Sequence, residues 1–396
     1  MLKPSPRAAA MAGLVIAGMA LTACSSSDAE ETTSATMAAT SSTDGTAVGL
    51  VDLAAAGCPA DIRIQTDWNP ESEHGHLYQL LGADYTIDAD VKSVTGPLMA
   101  SGEPTGVNVT ILSGGPATGF TQPNAQMYND PSIFMAYVGN DEAIAHATDL
   151  PTVGVFAPLE KDPQMIMWDP TYYPDVKTIA DLGEAGATIR VFPGGTYIDY
   201  FVGTGVLSAD QIDSTYDGTP AVFVSEDGAL AQQGFASAEP YIYKNLITQW
   251  GKDVNYQLIN DAGYPKYAAV LSVIPENIDT YSDCLTALVP VLQQAEIDYF
   301  ADSAATNALV LELVDAYDTG WVYSADVADY SVETLKAELV GNGEDDVLGN
   351  MDADRVQSLF DIVVPIYKEQ GFVIPDGLAP EDIYTNEFID TSIGFK

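Results

Sequence analysis

Residues 62–82, IRIQTDWNPESEHGHLYQLLG, change backbone period twice in one short stretch. Ile62 and Ile64 alternate as in a strand that sets one face on a core. A polar loop with Trp68, Asn69, Pro70, Glu73 and His74 follows. Leu77, Leu80 and Leu81 then repeat at helical spacing, and Gly82 offers a stop. A strand that feeds a helix through a short turn is the repeating unit of α/β sheets. The turn beyond the carboxyl end of such a strand is where these sheets bind ligands. A tryptophan and histidines in that turn suit recognition better than core packing.

The alternation continues along the chain. Strand patterns occupy 62–66, 107–112, 132–138, 152–157, 189–192, 221–224 and 239–243, and helical patterns fall between several of them. Asn140 can cap a helix running through His146, and a helix begins near Tyr197 after Pro193-Gly194-Gly195-Thr196. This order predicts an α/β fold with mainly parallel sheets. Beyond Ile274 helical periodicity takes over, at 278–299, 304–317, 332–340 and 355–370, so the C-terminal third is expected to be helical.

The N-terminus reads as a targeting segment. Lys3 and Arg7 precede an uncharged apolar run, too short to span a bilayer comfortably, that ends in Leu21-Thr22-Ala23-Cys24. That ending is similar to the lipobox of bacterial lipoproteins, which implies cleavage of residues 1–23 and a lipid on Cys24. Residues 24–57 are rich in Ser, Thr and Ala and lack periodicity, as in a flexible tether. Cys58 and Cys284 remain, and an exported setting favours a disulfide between them; the alternative is two free thiols. After the tether roughly 340 residues are left, which suits two lobes better than one core.

The chain carries 57 acidic against 14 basic residues, a net charge of −43 at pH 7. Nucleic acid is excluded as a natural partner, because phosphate binding needs a basic footprint. Anionic solutes must approach against the field unless local donors overcome it.

Several motifs, taken in order, resemble one family. Asp67-Trp68-Asn69-Pro70 with His74 resembles the opening of solute-binding proteins of the thiamine-precursor-binding type, whose relatives bind riboflavin, nitrate and alkylsulfonates. Residues 155–167 are similar to that family's crossover between lobes, and 176–182 to its helix with Asp181-Leu182. Phe235-Ala-Ser-Ala-Glu-Pro-Tyr241 is similar to its strand beside the ligand, and 384–388 to its tail. The resemblance implies a two-lobed periplasmic binding protein of type II, with mixed central sheets flanked by helices. Lobe 1 would comprise 58–157 and 268–396, and lobe 2 158–267. It also implies a monomeric receptor for an ABC permease.

The expected ligand site gathers Trp68, Asn69, His74, Tyr78, Asn140, Gly195, Thr196, Tyr197, Glu239 and Tyr241. Aromatic faces stack on flat rings, and a carboxylate at Glu239 can accept hydrogen bonds from an amino-pyrimidine. A flat heterocycle such as a thiamine pyrimidine precursor is the leading ligand, and a sulfonate, nitrate or aromatic carboxylate the alternative. No arginine clamp stands in the predicted cleft loops, which counts against those anions. His74-x-His76 beside Glu73 is a weak metal motif, and no metal or cofactor is expected. Family relatives that make the thiamine pyrimidine use a cysteine-rich motif absent here, and G-x-S-x-G, H-E-x-x-H and Walker patterns are also absent. An enzyme is therefore not expected.

Overall fold

The computed structural model describes residues 51–341, 343 and 345–396. The leader, Cys24 and the tether as far as residue 50 lie outside the described residues. The folded part starts before Cys58, within the expected tether: Leu53 is fully buried, and its N–H donates to Thr105 O at 2.9 Å. Cys58 and Cys284 form a disulfide across a sequence separation of 226 residues. In the chain-entropy model such a loop contributes about 5 kcal/mol.

In chain order the first elements are β1 (Asp61–Gln65), α1 (Gly75–Tyr78), β2 (Thr86–Asp88), β3 (Ser93–Ala100), β4 (Glu103–Leu112), α2 (Pro123–Asn129), β5 (Ile133–Val138), α3 (Asn140–Ala145) and β6 (Val153–Phe156). Next come β7 (Gln164–Trp168), α4 (Ile179–Glu184), β8 (Ile189–Arg190), α5 (Thr196–Gly203), β9 (Ile212–Asp213), α6 (Ala221–Ser225), β10 (Ala231–Phe235), α7 (Glu239–Tyr241) and β11 (Asn255–Leu258). The chain then returns through β12 (Val270–Val273) to α8 (Pro275–Thr280), α9 (Ser282–Ala301), α10 (Ala304–Tyr317), α11 (Ala325–Thr334) and α12 (Ala353–Gln370).

Two mixed sheets result. The first has the order β2-β3-β4-β1-β5-β12-β6, with β1 parallel to β4 and β5 and with β12 antiparallel to β5 and β6. The second has the order β11-β7-β10-β8-β9, with β10 antiparallel to β7 and parallel to β8. Every residue of β5, IFMAYV, is buried, as a central strand covered on both faces requires. The sheets are mixed, not mainly parallel as the alternation predicts, because β3, β7 and β12 each run antiparallel to both neighbours.

The chain crosses between sheets twice, at 157–163 and 259–269, and Arg355 at the start of α12 binds both crossings. Its Nε donates to Pro265 O, Nη1 to Glu160 O and Oε1, and Nη2 to Asn260 Oδ1 and Lys266 O. Its guanidinium lies 3.7 Å from the centre of the Tyr267 ring. Lys266 Nζ stands 3.4 Å from Asp162 Oδ2 and 3.9 Å from Asp141 Oδ2. Burial opposes the Lys266 charge, but Asp141 and Asp162 outweigh it and hold the ammonium above its usual range.

Two expected strands are helical. Residues 221–224 form α6 behind Pro220, because a four-residue apolar run has no period of its own. Residues 239–243 lie in α7 and a following π turn, with Pro240 in the first helical turn. The helical C-terminal part is present, but it serves both lobes. One hydrophobic cluster joins α12 (Val356, Leu359 and Val363) to Ile144 of α3 and Phe201 of α5. Another packs Leu335 and Leu339 on Met165 and Met167.

Candidate functional site

The turn after β1 is built by backbone and glycine. Gln65 Nε2 donates to Ser113 O at 3.1 Å, and Gly114 N–H donates to Trp68 O at 3.0 Å, which ties the turn to the end of β4. Gly115, at φ +55°, lies under the Trp68 indole, and a Cβ there would stand 2.7 Å from the ring. Only glycine lets the tryptophan lie flat on that loop. Trp321, from the loop between α10 and α11, meets Trp68 edge to face with centroids 6.0 Å apart. Tyr323 stacks on Trp321, and its hydroxyl donates to Ser72 Oγ at 2.9 Å, which fixes the Glu71–His74 turn.

The facing wall comes from the second sheet. Gln233 on β10 is buried, and its Oε1 accepts from Phe192 N–H at 3.0 Å and from the Tyr197 hydroxyl at 2.8 Å. Phe192 packs against Tyr216, with ring centroids 4.7 Å apart. Phe235 N–H donates to Glu239 Oε2 at 2.8 Å. The lobes touch where the Ser237 hydroxyl donates to Glu73 Oε1.

Between these walls lies a cavity of about 210 Å³. Its apolar lining is Trp68, Trp321, Phe192, Tyr216 and Phe235, with Gly218 and Ala238 beside them. Its polar lining is Asp67, Glu71, Glu73, Glu239 and Gln233, and no Lys, Arg or His among the described residues joins them. Burial pushes Glu71 well above the usual carboxylate range, and the charges of Glu73, Asp67 and Glu239 push it further. Burial raises Glu73 to about 8 despite the Ser237 hydrogen bond. Burial also raises Glu239 to about 7 against the opposing hydrogen bond from Phe235.

Of the residues singled out in the sequence, Trp68 and Glu239 line this cavity. Asn69 is buried, and its Oδ1 accepts from Thr319 Oγ1. His74 is buried behind the wall, with Nε2 3.0 Å from Asp67 Oδ1. Tyr78 is part of the first lobe's hydrophobic core. Asn140 accepts from Tyr267 N–H and so holds the second crossing. Thr196 donates to the Tyr367 hydroxyl, and Gly195 lies against the Tyr197 ring. Tyr197 reaches the site only through Gln233. Tyr241 packs on Tyr330 outside the cavity lining. His76 Nε2 pairs with the Tyr137 hydroxyl, and burial, helped by the neighbouring His74, lowers its pKa to about 3. Among the described residues no group of three or more His, Cys, Asp or Glu is arranged to hold a metal ion.

Sequence reasoning missed Glu71 as a cavity residue although it shares the Trp68 turn. It also missed Phe192, which directly precedes the Pro-Gly-Gly turn, and Phe235, which opens the Ala-Ser-Ala-Glu motif. Trp321 carries no local signal, because only the return of the helical segment brings it to the cleft.

No protein-family model matches the chain, and no curated protein does. The fold is similar to that of the periplasmic aliphatic sulphonate binding protein SsuA from Escherichia coli: 13% identity over 86% of this chain and 93% of that one, with a TM-score of 0.52. The alkanesulfonate-binding protein SsuA from Xanthomonas axonopodis pv. citri, bound to MOPS, matches at 13% identity over 83% of this chain and 99% of that one, with a TM-score of 0.51. At this identity the likeness fixes the fold: two mixed sheets flanked by helices in the manner of periplasmic binding proteins.

Proposed function

We propose that this chain is the extracytoplasmic solute-binding component of an ABC importer. It takes one small flat nitrogen heterocycle between its lobes and presents it to a membrane permease. The observation that carries this reading is the aromatic and acidic cavity to which both lobes contribute. Closure about the two crossings lets a ligand select the closed state through contacts with both walls. The leader and Cys24 support export and a lipid anchor, and the receptor acts as a monomer. No helix among the described residues is long and apolar enough to cross a membrane.

A single ring suits the site, since the cavity of about 210 Å³ is smaller than the roughly 300–1,000 Å³ of drug-sized sites. A pyrimidine of the thiamine-precursor kind would stack on Trp68 and donate its amino hydrogens to Glu239 or Glu71. The second reading is a receptor for a sulfonate, nitrate or aromatic carboxylate. The sulfonate is favoured by the names of the two neighbours above, but no lysine, arginine or histidine of the described residues lines the cavity to hold an anion. An enzymatic role has little support, because His74 and His76 are buried and engaged with Asp67 and Tyr137.

A thermal-shift screen of pyrimidines, flavins, sulfonates and aromatic acids tests the reading. A ligand at about 100 times Kd adds about 2.7 kcal/mol of stability. Trp68→Ala should abolish that shift and leave the unliganded melting temperature nearly unchanged. Unaltered affinity in this variant would sink the site assignment.

A further inference from the structure

We infer that the solute is a planar organic cation, held between Trp68 and the aromatic wall of the second lobe and neutralised by Asp67, Glu71, Glu73 and Glu239, with Gln233 Nε2 as donor to an acceptor on its ring. This rests on the receptor reading above and deepens it by fixing the sign of the ligand's charge.

Three independent observations point to such a ligand. The first is the sign of the lining: four carboxylates face one small cavity, and no basic side chain among the described residues lines it. The cation behind this wall, Arg190, lies outside the lining: Nη2 donates to Thr215 O, and Nε and Nη1 stand 3.6 Å from Asp213 and 4.0 Å from Asp217 without a hydrogen bond among the described residues. Carboxylates brought together with only the His74 imidazole beside Asp67 and Glu71 repel one another, and a ligand cation relieves that repulsion. The second is the aromatic lining. Indole and phenyl faces attract a desolvated cation through the ring quadrupole, and flat rings stack on them as well. The third is Gln233. It is only 4% exposed, and both hydrogen bonds it makes are accepted by Oε1. Its Nε2 makes no hydrogen bond among the described residues, and the residue lines the cavity. The residue is buried, but this donor is not among the sealed-off atoms and opens on the cavity, where a ligand acceptor can take the place of water. A ring with an acceptor beside its positive charge satisfies both requirements, and the net charge of −43 draws cations toward the cleft.

The groups that face these carboxylates settle the pH dependence. Asp67, Asp162 and Glu239 face Glu73, and all three push its pKa up. His74 Nε2 lies 3.0 Å from Asp67 and 3.9 Å from Glu71, and Tyr323, Tyr216 and Tyr243 lie in the field of Glu71 or Glu239. With Glu73 at about 8 and Glu239 at about 7, protons occupy part of the empty site near neutrality. A cation displaces them, so its affinity rises with pH.

Isothermal titration of the full chain with a permanent cation tests this. The probes are N-methylpyridinium, its neutral counterpart toluene, and an alkanesulfonate, each at pH 6 and pH 8.5. The cation should bind most tightly, about tenfold more so at pH 8.5, and with proton release seen as a dependence on buffer ionisation enthalpy. Glu71→Gln and Glu239→Gln should each weaken it roughly ten- to hundredfold. The same variants should melt no lower than the parent without ligand, a combination that a merely structural role would not give. Tighter binding of the sulfonate or the neutral ring, weakened by Trp68→Ala, would overturn the cation inference and leave the receptor reading standing. A cation affinity that falls as pH rises would overturn it in the same way. Failure of all three probes to bind would overturn both.

Discussion

Two clusters of acids lie close together in this molecule, and they are treated in opposite ways. At the crossings between lobes, Glu160 accepts from Arg355, while Asp162 and Asp141 flank Lys266. In the cavity, Asp67, Glu71, Glu73 and Glu239 line one space with no lysine or arginine of the described residues among them. Buried carboxylates are stable when paired and costly when not. The chain has few cations, and it places three of them, Lys161, Lys266 and Arg355, at the crossings. The crossings therefore carry their own counter-charges, even though Asp162 Oδ2 accepts no hydrogen bond there, whereas no lysine or arginine lines the cavity among the described residues.

The largest expected effect breaks the paired side. Arg355→Ala removes the hydrogen bonds to both crossings and the contact with Tyr267. It should cost about 3–5 kcal/mol in chemical denaturation, as for other broken buried pairs. A loss below about 1 kcal/mol, the size of an exposed ion pair, would show that the crossings do not depend on this rivet. Lys266→Met comes next. It leaves Asp162 buried without its cation and should cost about 2–3 kcal/mol, with the loss shrinking at pH 4 as the carboxylates protonate.

The same kind of change in the cavity should have the opposite sign. Glu71→Gln removes a carboxyl whose charge burial opposes, so the unliganded protein should gain about 1 kcal/mol. A loss of that size in the melting curve would erase the contrast between the clusters. The last contrast is a pH slope. Glu73 and Glu239 have folded pKa values of about 8 and about 7, above the ordinary 4.5. Their contribution to stability is present below that ordinary value and is lost as pH rises through 7 and 8. The unliganded melting temperature should therefore drop by about 3–6 °C between pH 6 and pH 8.5. The double variant Glu73→Gln, Glu239→Gln should flatten that slope, and an unchanged slope would move its origin elsewhere.

Much of the fold was legible because periodicity is local. The strand at 62–66 appears as β1, the pattern at 304–317 as α10, and that at 355–370 within α12. Short apolar runs were the failures, since residues 221–224 and 239–243 offered too few positions to separate strand from helix. In the candidate site, Trp68 and Glu239 were legible because each sits in a motif beside a strand end. Asn140 was read as a ligand residue because a capping position and a cleft position look alike in sequence. Its amide in fact secures Tyr267 of the second crossing.

Local sequence is enough to set the alternation of strand and helix, the helical ending, the acidic surface and the tryptophan in the first turn. Each depends on residues near one another in the chain, whose propensities act wherever the segment goes. The composition of the cavity belongs to long-range packing alone. Glu71 meets Phe192, Glu239 and Trp321 because the chain crosses between lobes twice and then returns along both. No local pattern encodes that meeting, since it is set by the packing of distant segments, and it leaves carboxylates together without a cation.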